Sequence, residues 1–325
     1  LRAELMSLGE NDPGLAALEA DLKGLLASWF DVGFLEMRRI TWDSSATLLE
    51  KLIAYEAVHE IRSWHDLKNR LASDRRCFAF FHPAMPDEPL IFLEAALVNG
   101  LSDNIQTLLD ETAPIQDPRT ADTAIFYSIS NAQRGLAGIN FGGFLIKRVI
   151  DHLSAEFKGL KTFATLSPIP GFRAWLDARI DGKDPDLLTA LLTVAERKAL
   201  AGLPQPVADE AAFKTLLAAT PWNRDKAVAE ALKGSLMRLC AGYLLERKIP
   251  DHSALDPVGH FHFSNGARVE RLNWLGDTSP KGLQQSTGIM SNYLYRLGDI
   301  EANHEAYTGE GKIAASPAIK KLAKG

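Results

Sequence analysis

The sequence predicts an α+β protein, in which a mixed β-sheet with flanking helices and a helical insertion follows N-terminal helices. Two observations support this fold class. Short aromatic and β-branched runs between Arg76 and Ser167 predict strands, and a strand–loop–helix–strand unit among them predicts a crossover between parallel neighbours. By contrast, residues 184–248 are rich in leucine and alanine and show no strand pattern, which indicates a helical insertion.

Length and composition are those of an ordinary globular protein. The 325 residues correspond to about two domains at ~150 residues each, and 46% of them are hydrophobic and 24% charged. A chain of this length buries a core without help from disulfides or metals. The net charge of −5 gives no support to a nucleic-acid coat or to a basic membrane patch.

Cysteine usage and the termini indicate the compartment. Cys77 and Cys240 lie far apart and match no CxxC spacing, so we expect neither a disulfide framework nor a cysteine zinc site. No run approaches ~18 apolar residues, and the N-terminus lacks the basic-then-apolar pattern of a secretory signal. The C-terminus is not a peroxisomal Ser-Lys-Leu, and we expect a cytoplasmic location, with a removed mitochondrial presequence as the alternative.

The first elements are predicted to be helices. One apolar stripe recurs at three- and four-residue steps, which is typical of an amphipathic helix that needs partner helices: Leu15, Leu18, Leu22 and Leu25. A second helix is expected after Asp43 as N-cap, and a third after Ser63.

Strands follow from residue 76 onward. Arg76–Phe81 and Pro89–Val98 predict an antiparallel hairpin, and Thr123–Ser130 predicts a third strand. The Gly-rich loop Asn131–Gly143 then leads into an amphipathic helix. Leu160–Ser167 returns as a strand, which completes the crossover unit.

The C-terminal half mixes helices with one predicted hairpin. Gly171–Ile180 and most of Asp184–Lys248 are expected to be helical. His260–Phe263 and Ala267–Leu275 flank Asn265-Gly266, a pair that tolerates positive φ and predicts a hairpin turn. Residues 278–297 and the tail predict helix or loop.

The Gly-rich loop is the first candidate for chemistry. Its missing side chains let backbone N–H groups approach an anion, and the following helix N-terminus adds positive potential, so a pyrophosphate fits. The loop is neither a P-loop nor a clean GxGxxG. A tight turn that packs a helix on a sheet remains the alternative.

Ser167 and the histidines are the other candidates. Ser167 begins a stiff Ser-Pro-Ile-Pro turn at a strand end, where it either serves a ligand or caps the next helix. Strand alternation would place His260 and His262 on one face. Zinc would need a third ligand, which the neighbouring residues do not supply, so we favour one histidine as a proton donor.

Seven segments in order make the chain similar to the malonyl-CoA decarboxylase family: AIFYSIS, GGFLIKRV, LSPIPGF, LMRLCAGYL, HFHFSNGA, RLNW and SNYLYRL. The resemblance runs from about Trp29 to Leu297. It implies a GNAT-like catalytic domain over residues 32–325, preceded by the remnant of a helical oligomerisation domain over residues 1–31. It also implies a homo-oligomer, a dimer or tetramer, and a role in fatty acid metabolism.

The resemblance also implies the site. Ser167 and His262 would be the catalytic pair, as proton acceptor and donor, with no metal and no cofactor beyond the coenzyme A thioester itself. The implied residues for binding malonyl-CoA are Ala137, Gly138, Ile139, Asn140, Phe141, Gly142, Gly143, Ser128 and Tyr293. Some family members carry an acid where this chain has Asn140, so only a backbone role carries over there.

Two other functions are compatible with the same residues. An acyl-CoA-dependent N-acetyltransferase would use the same loop and fold, and it would release free thiol from acetyl-CoA in the presence of an amine. A coenzyme A-binding scaffold would leave Ser167 and His262 as packing residues, and fold analogy alone does not separate these functions.

Overall fold

The computed structural model describes residues 1–8, 12–30, 32–136, 139, 144–181, 191–219, 221–248 and 252–324. These residues fold into two compact units. The first unit comprises Leu1–Leu101 and Leu109–Ala164, and the second comprises Ser102–Leu108 and Thr165–Gly325.

Helices and strands alternate along both units, which confirms the α+β class. The helices are α1 (Arg2–Leu8), α2 (Pro13–Trp29), α3 (Ala46–Tyr55), α4 (Trp64–Arg70), α5 (Ile105–Leu108), α6 (Phe144–Glu156), α7 (Phe172–Ile180), α8 (Val194–Ala201), α9 (Glu210–Ala218), α10 (Lys226–Leu245), α11 (Pro257–Ser264), α12 (Pro280–Ser286), α13 (Ile300–Glu310) and α14 (Pro317–Leu322). The strands are β1 (Glu36–Ile40), β2 (Arg75–His82), β3 (Met85–Val98), β4 (Thr123–Asn131), β5 (Thr162–Thr165), β6 (Ser167–Pro168), β7 (Arg268–Asn273) and β8 (Met290–Leu294). None of the helices in the described residues is long and apolar enough to cross a membrane.

The sheet of the first unit has the strand order β1-β2-β3-β4-β5. The first three pairings are antiparallel, so the predicted hairpin of β2 and β3 is confirmed. β4 and β5 are neighbours joined through α6, as the crossover requires. The edge strand β1 is missed by sequence reasoning, because three of its five residues are charged, Glu36, Arg38 and Arg39, and leave no apolar run.

The helix starts follow local capping chemistry. Ser63 caps α4 as predicted, and its side chain accepts a hydrogen bond from the Asp66 N–H at 3.1 Å. The predicted cap at Asp43 is wrong, because the Ser45 hydroxyl accepts from the Leu48 N–H and α3 begins two residues later. The predicted apolar stripe of α2 is not evenly buried, because Leu22 is half-buried whereas Leu18 is 52% exposed.

A buried charged cluster lies between α4 and β3 in the first unit. The Arg70 guanidinium donates to Asp66 at 2.8 Å and to Glu94 at 3.2 Å, and all three side chains are buried. Burial raises the pKa of Glu94 to about 8, and the neighbouring Glu56 carboxylate adds to the rise.

The second unit places three short strands among its helices. β8 pairs antiparallel with both β6 and β7. All five residues of β8 are buried, although the sequence around it predicts helix or loop. The helical insertion is confirmed for its described part, where α8, α9 and the 20-residue α10 lie.

The predicted strand His260–Phe263 is wrong, because this segment forms α11. Asp256 caps the helix by accepting from the Gly259 N–H, and Pro257 occupies its first turn, where a missing N–H costs nothing. Asn265 and Gly266 end the helix instead of turning a hairpin, with Gly266 at φ +78°. A short apolar run between a capping Asp-Pro and an Asn-Gly fits a two-turn helix as well as a strand.

Candidate active site

Ser167 and His262 meet in the second unit, although 95 residues separate them in sequence. The Ser167 Oγ lies 3.1 Å from the His262 Nε2, within hydrogen-bonding distance. Ser167 begins β6, which pairs with β8, and His262 lies in the last turn of α11. The exposed fractions of the two residues are only 6% and 3%, so the contact is shielded from bulk water.

Two tyrosines after Ser291 complete the surroundings of His262. The hydroxyl of Tyr295 lies 2.7 Å from the His262 Nδ1. The ring of Tyr293 stacks on the imidazole, with 4.4 Å between ring centroids and 26° between ring planes. The imidazole is therefore held at both nitrogens and on one face.

The hydrogen bonds around Ser167 favour one tautomer of His262. The Ser167 hydroxyl donates to the Thr165 Oγ1 at 2.8 Å, and the Tyr293 N–H donates to the same Thr165 oxygen at 3.1 Å. Since the Ser167 proton is directed toward Thr165, the bond between Ser167 and His262 needs its proton on the Nε2. The Nδ1 then accepts from the Tyr295 hydroxyl.

The environment of the imidazole is neutral. Burial alone lowers the pKa of His262 to about 3, and no charged group among the described residues contributes to the shift. Burial likewise raises the pKa of Tyr295, so its hydroxyl keeps its proton. At pH 7 the site therefore combines a neutral imidazole, a neutral phenol and two aliphatic hydroxyls.

The arrangement offers an Nε2–H and a hydroxyl beside each other in a buried setting, where no charged group among the described residues shifts the pKa of the imidazole. Such a pair can hydrogen-bond an acyl group and pass it a proton. It is poorly suited to making a serine nucleophile, which needs a base that accepts the hydroxyl proton. The third group on the histidine is the Tyr295 phenol and not a carboxylate.

The two histidines of the predicted strand do not share a face. The Nδ1 of His260 lies 2.7 Å from the Tyr307 hydroxyl, while His262 contacts Ser167 and Tyr295. Two positions along a helix differ by about 200°, which explains the separation. The expected placement of both imidazoles on one side is therefore wrong.

The structure places the other predicted residues as follows. Tyr293 is part of the site, as its stacking on His262 shows. Ser128 lies in the first unit, where its buried hydroxyl donates to the Glu56 carboxylate at 2.7 Å. Ile139 is buried, and its N–H donates to the Leu136 carbonyl at 3.1 Å. Six predicted loop residues lie outside the described residues: Ala137, Gly138, Asn140, Phe141, Gly142 and Gly143.

Sequence reasoning missed Thr165 and Tyr295. The signal for Tyr295 was present in Tyr293-Leu294-Tyr295, because residues two apart in extended chain point to one side. That reading requires β8 to be recognised as a strand. Thr165 stands two residues before Ser167, and no sequence pattern around it marks it as a site residue.

The comparisons with known proteins agree with one another. The family model of the malonyl-CoA decarboxylase C-terminal domain matches residues 33–325. The mitochondrial malonyl-CoA decarboxylase of Anser anser anser is 41% identical over 94% of this chain and 61% of its own length. That of Rattus norvegicus is 40% identical over 99% of this chain and 65% of its own length, so this chain spans less than two thirds of either relative.

A solved structure gives the same result for the fold. The crystal structure of malonyl-CoA decarboxylase from Rhodopseudomonas palustris is 46% identical, with a TM-score of 0.88. It covers 98% of this chain, and this chain covers 74% of it.

Proposed function

Because this chain belongs to the malonyl-CoA decarboxylase family, we propose that it converts malonyl-CoA into acetyl-CoA and CO2. The observation that carries the proposal is the buried contact of 3.1 Å between the Ser167 Oγ and the His262 Nε2. These are the residues that the resemblance implies as the catalytic pair, and they lie far apart in sequence.

The reaction needs electrons to move into the thioester. The bond between the carboxylate carbon and the α-carbon breaks, CO2 leaves, and the electron pair passes to the thioester carbonyl as an enolate. No redox cofactor or metal is required in this scheme, because the thioester itself accepts the electrons. Hydrogen-bond donors directed at the enolate oxygen would lower the barrier.

The surroundings of His262 favour the departure of CO2 from the malonyl group. A cation beside the malonyl carboxylate would stabilise the substrate more than the transition state, in which that charge has moved away. No charged group contributes to the pKa shift of His262 among the described residues. A buried site in which no described cation acts on His262 therefore favours decarboxylation over tight binding of the carboxylate.

His262 is the proton donor in this mechanism, and Ser167 hydrogen-bonds the malonyl group. The enolate carbon takes the proton from the Nε2, and solvent later returns one proton to the site, so that one proton is consumed per turnover. A neutral imidazole is a competent acid toward an enolate, which is a strong base. The Tyr295 hydroxyl, 2.7 Å from the Nδ1, stabilises the negative charge that the ring acquires.

The remaining assignments extend this proposal. Residues 137–143 bind the coenzyme A moiety through their backbone, Ser128 and Tyr293 contribute to substrate binding, and no cofactor other than the substrate's own thioester takes part. Residues 1–31 are the end of a helical domain through which the protein forms a homo-oligomer. The expected cytoplasmic location remains a prediction, since the curated relatives are named mitochondrial.

The decisive experiment adds malonyl-CoA to pure protein without metal or nucleotide and follows CO2 and acetyl-CoA. We expect stoichiometric release of both. His262→Ala is expected to lower kcat by ~10²–10⁴-fold, the size of a general-acid contribution. The matched control is His260→Ala in the same helix, whose ring contacts Tyr307 instead of Ser167. Wild-type turnover in His262→Ala would refute the assignment, and thiol release from acetyl-CoA with amines would favour an acetyltransferase.

A further inference from the structure

The carboxylate of Asp256 connects the two backbone segments that carry Ser167 and His262. Its Oδ1 accepts from the Gly259 N–H at 2.8 Å, in the first turn of α11. Its Oδ2 accepts from the Gly171 N–H at 3.3 Å, at the end of the turn that begins with Ser167. One side chain therefore bonds both the helix of His262 and the turn of Ser167.

The turn transmits this connection to the serine. Ser167 and Gly171 are separated by Pro168, Ile169 and Pro170, and the two proline rings fix the backbone between them. A displacement of Gly171 is therefore passed along a stiff segment to the Ser167 hydroxyl.

The contact is too tight for any side chain at Gly171. A Cβ there would lie 2.1 Å from the Tyr243 hydroxyl and 3.5 Å from the Asp256 Oδ2. Tyr243 itself donates to the Asp256 Oδ2 at 3.3 Å. On the other side, a Cβ at Gly259 would lie 3.5 Å from the Asp256 Cβ. Asp256 is thus fully buried among its own partners.

Capping alone does not explain this burial. Asp225 caps α10 by accepting from the Ala227 and Val228 N–H groups, and it does so from an exposed position. Asp256 is 0% exposed and forms no ion pair among the described residues, although burying a carboxylate is costly. The same capping role is available at the surface, so the buried position needs a further reason.

We propose that Asp256 is a positioning residue, which holds the Ser167 turn against α11 and so fixes the distance between the Ser167 Oγ and the His262 Nε2. This inference rests on the proposed decarboxylation for its kinetic readout. Small misplacements of reacting groups lower turnover strongly, by about 10²-fold for ~1 Å.

Asp256→Asn separates the two roles of the side chain. The amide oxygen still caps Gly259, while the amide NH2 replaces the acceptor that faces the Gly171 N–H. We expect kcat to fall about 10- to 100-fold while KM stays within about twofold, because the coenzyme A loop is untouched. Asp225→Asn makes the same change in an exposed cap, where the amide oxygen still accepts both N–H bonds, and is expected to leave both constants unchanged.

A second readout does not depend on activity. In ¹⁵N-histidine NMR, the His262 resonances, assigned by their loss in His262→Ala, are expected to show one tautomer with the proton on Nε2. Asp256→Asn is expected to give a mixture of tautomers, because the contact with Ser167 is loosened, whereas Asp225→Asn retains the single form. If the wild-type protein lacked decarboxylase activity, the proposed function would fail and this spectrum would still decide the positioning role.

Steric variants cover the case in which Asp256→Asn does not fold. Gly171→Ala is expected to lower kcat, and adding Tyr243→Phe, which removes the atom 2.1 Å away, is expected to restore part of it. Equal kcat and equal spectra in Asp256→Asn and Asp225→Asn would overturn the inference while leaving the proposed function standing. Wild-type kcat in Gly171→Ala would overturn it as well.

Discussion

Tyr295→Phe removes a single hydroxyl from the site and tests how His262 is held. The Tyr295 hydroxyl lies 2.7 Å from the His262 Nδ1, and the two residues are 2% and 3% exposed. The phenylalanine ring fills the same space, so packing is preserved. Water has little access to replace the lost donor, and the Nδ1 is left without a partner.

The size of the effect follows from the charge on the ring. When the Nε2 gives its proton to the enolate, the imidazole becomes negative and the bond from Tyr295 becomes charge-assisted. Hydrogen bonds to charged groups contribute about 1.5–3 kcal/mol, and ~1.4 kcal/mol corresponds to tenfold in rate. We therefore expect kcat for malonyl-CoA to fall about 10- to 100-fold, with KM nearly unchanged.

The chain offers a matched control at His260, the other histidine of α11. Tyr307 lies at the same distance, 2.7 Å, from the Nδ1 of His260, and it also accepts from the Ala254 N–H. Tyr307→Phe is expected to lower Tm more than Tyr295→Phe does, while leaving kcat near the wild-type value. If both variants lower kcat equally, or if Tyr295→Phe turns over at the wild-type rate, the donor role of Tyr295 is refuted.

Three further predictions concern stability and substrate binding. Gly266→Ala is expected to lower Tm by several degrees, because φ is +78° and a Cβ would lie 2.2 Å from the Ile300 carbonyl oxygen; Gly242→Ala in α10, with nothing within 4 Å, should not. The free energy of unfolding of Glu94→Gln, measured with urea, is expected to rise relative to that of wild type as the pH rises from about 5 to 8. The folded pKa of about 8 exceeds the unfolded value, so wild type loses stability across that window, and a pH-independent difference would contradict this. Gly138→Asp is expected to raise KM for malonyl-CoA through repulsion of the pyrophosphate, and an unchanged KM would place the phosphates elsewhere.

Much of the fold could be predicted from sequence because the patterns are local. The antiparallel pair β2 and β3, the strand β4 and the cap at Ser63 all follow from residues that are adjacent in the chain. β1 and β8 were missed for opposite reasons. β1 is a polar edge strand, whereas β8 carries Ser291 and Asn292, both fully buried, whose hydrogen bonds only the tertiary structure supplies.

For the candidate site, the family resemblance implied Ser167 and His262, and the structure places their side chains in contact. The error at His260–Phe263 arose because Asn-Gly serves equally as a hairpin turn and as a helix end. Asp256-Pro257 before it was the deciding feature, since a capping side chain followed by proline favours a helix start. Thr165 could not have been predicted, because its role depends on Ser167 and on the Tyr293 N–H from a distant strand.

The direction of the hydrogen bonds separates this site from a serine-nucleophile site. In a nucleophilic relay, a carboxylate makes the imidazole more basic, and the imidazole then takes the serine proton. Here the Ser167 proton is directed to Thr165, and the Tyr295 donor makes the imidazole less basic. Burial lowers the pKa of His262 to about 3, because it disfavours the imidazolium that a base toward Ser167 would become. Each of these features works against His262 as a base toward Ser167, which supports the proposed protonation of an enolate over formation of an acyl-serine.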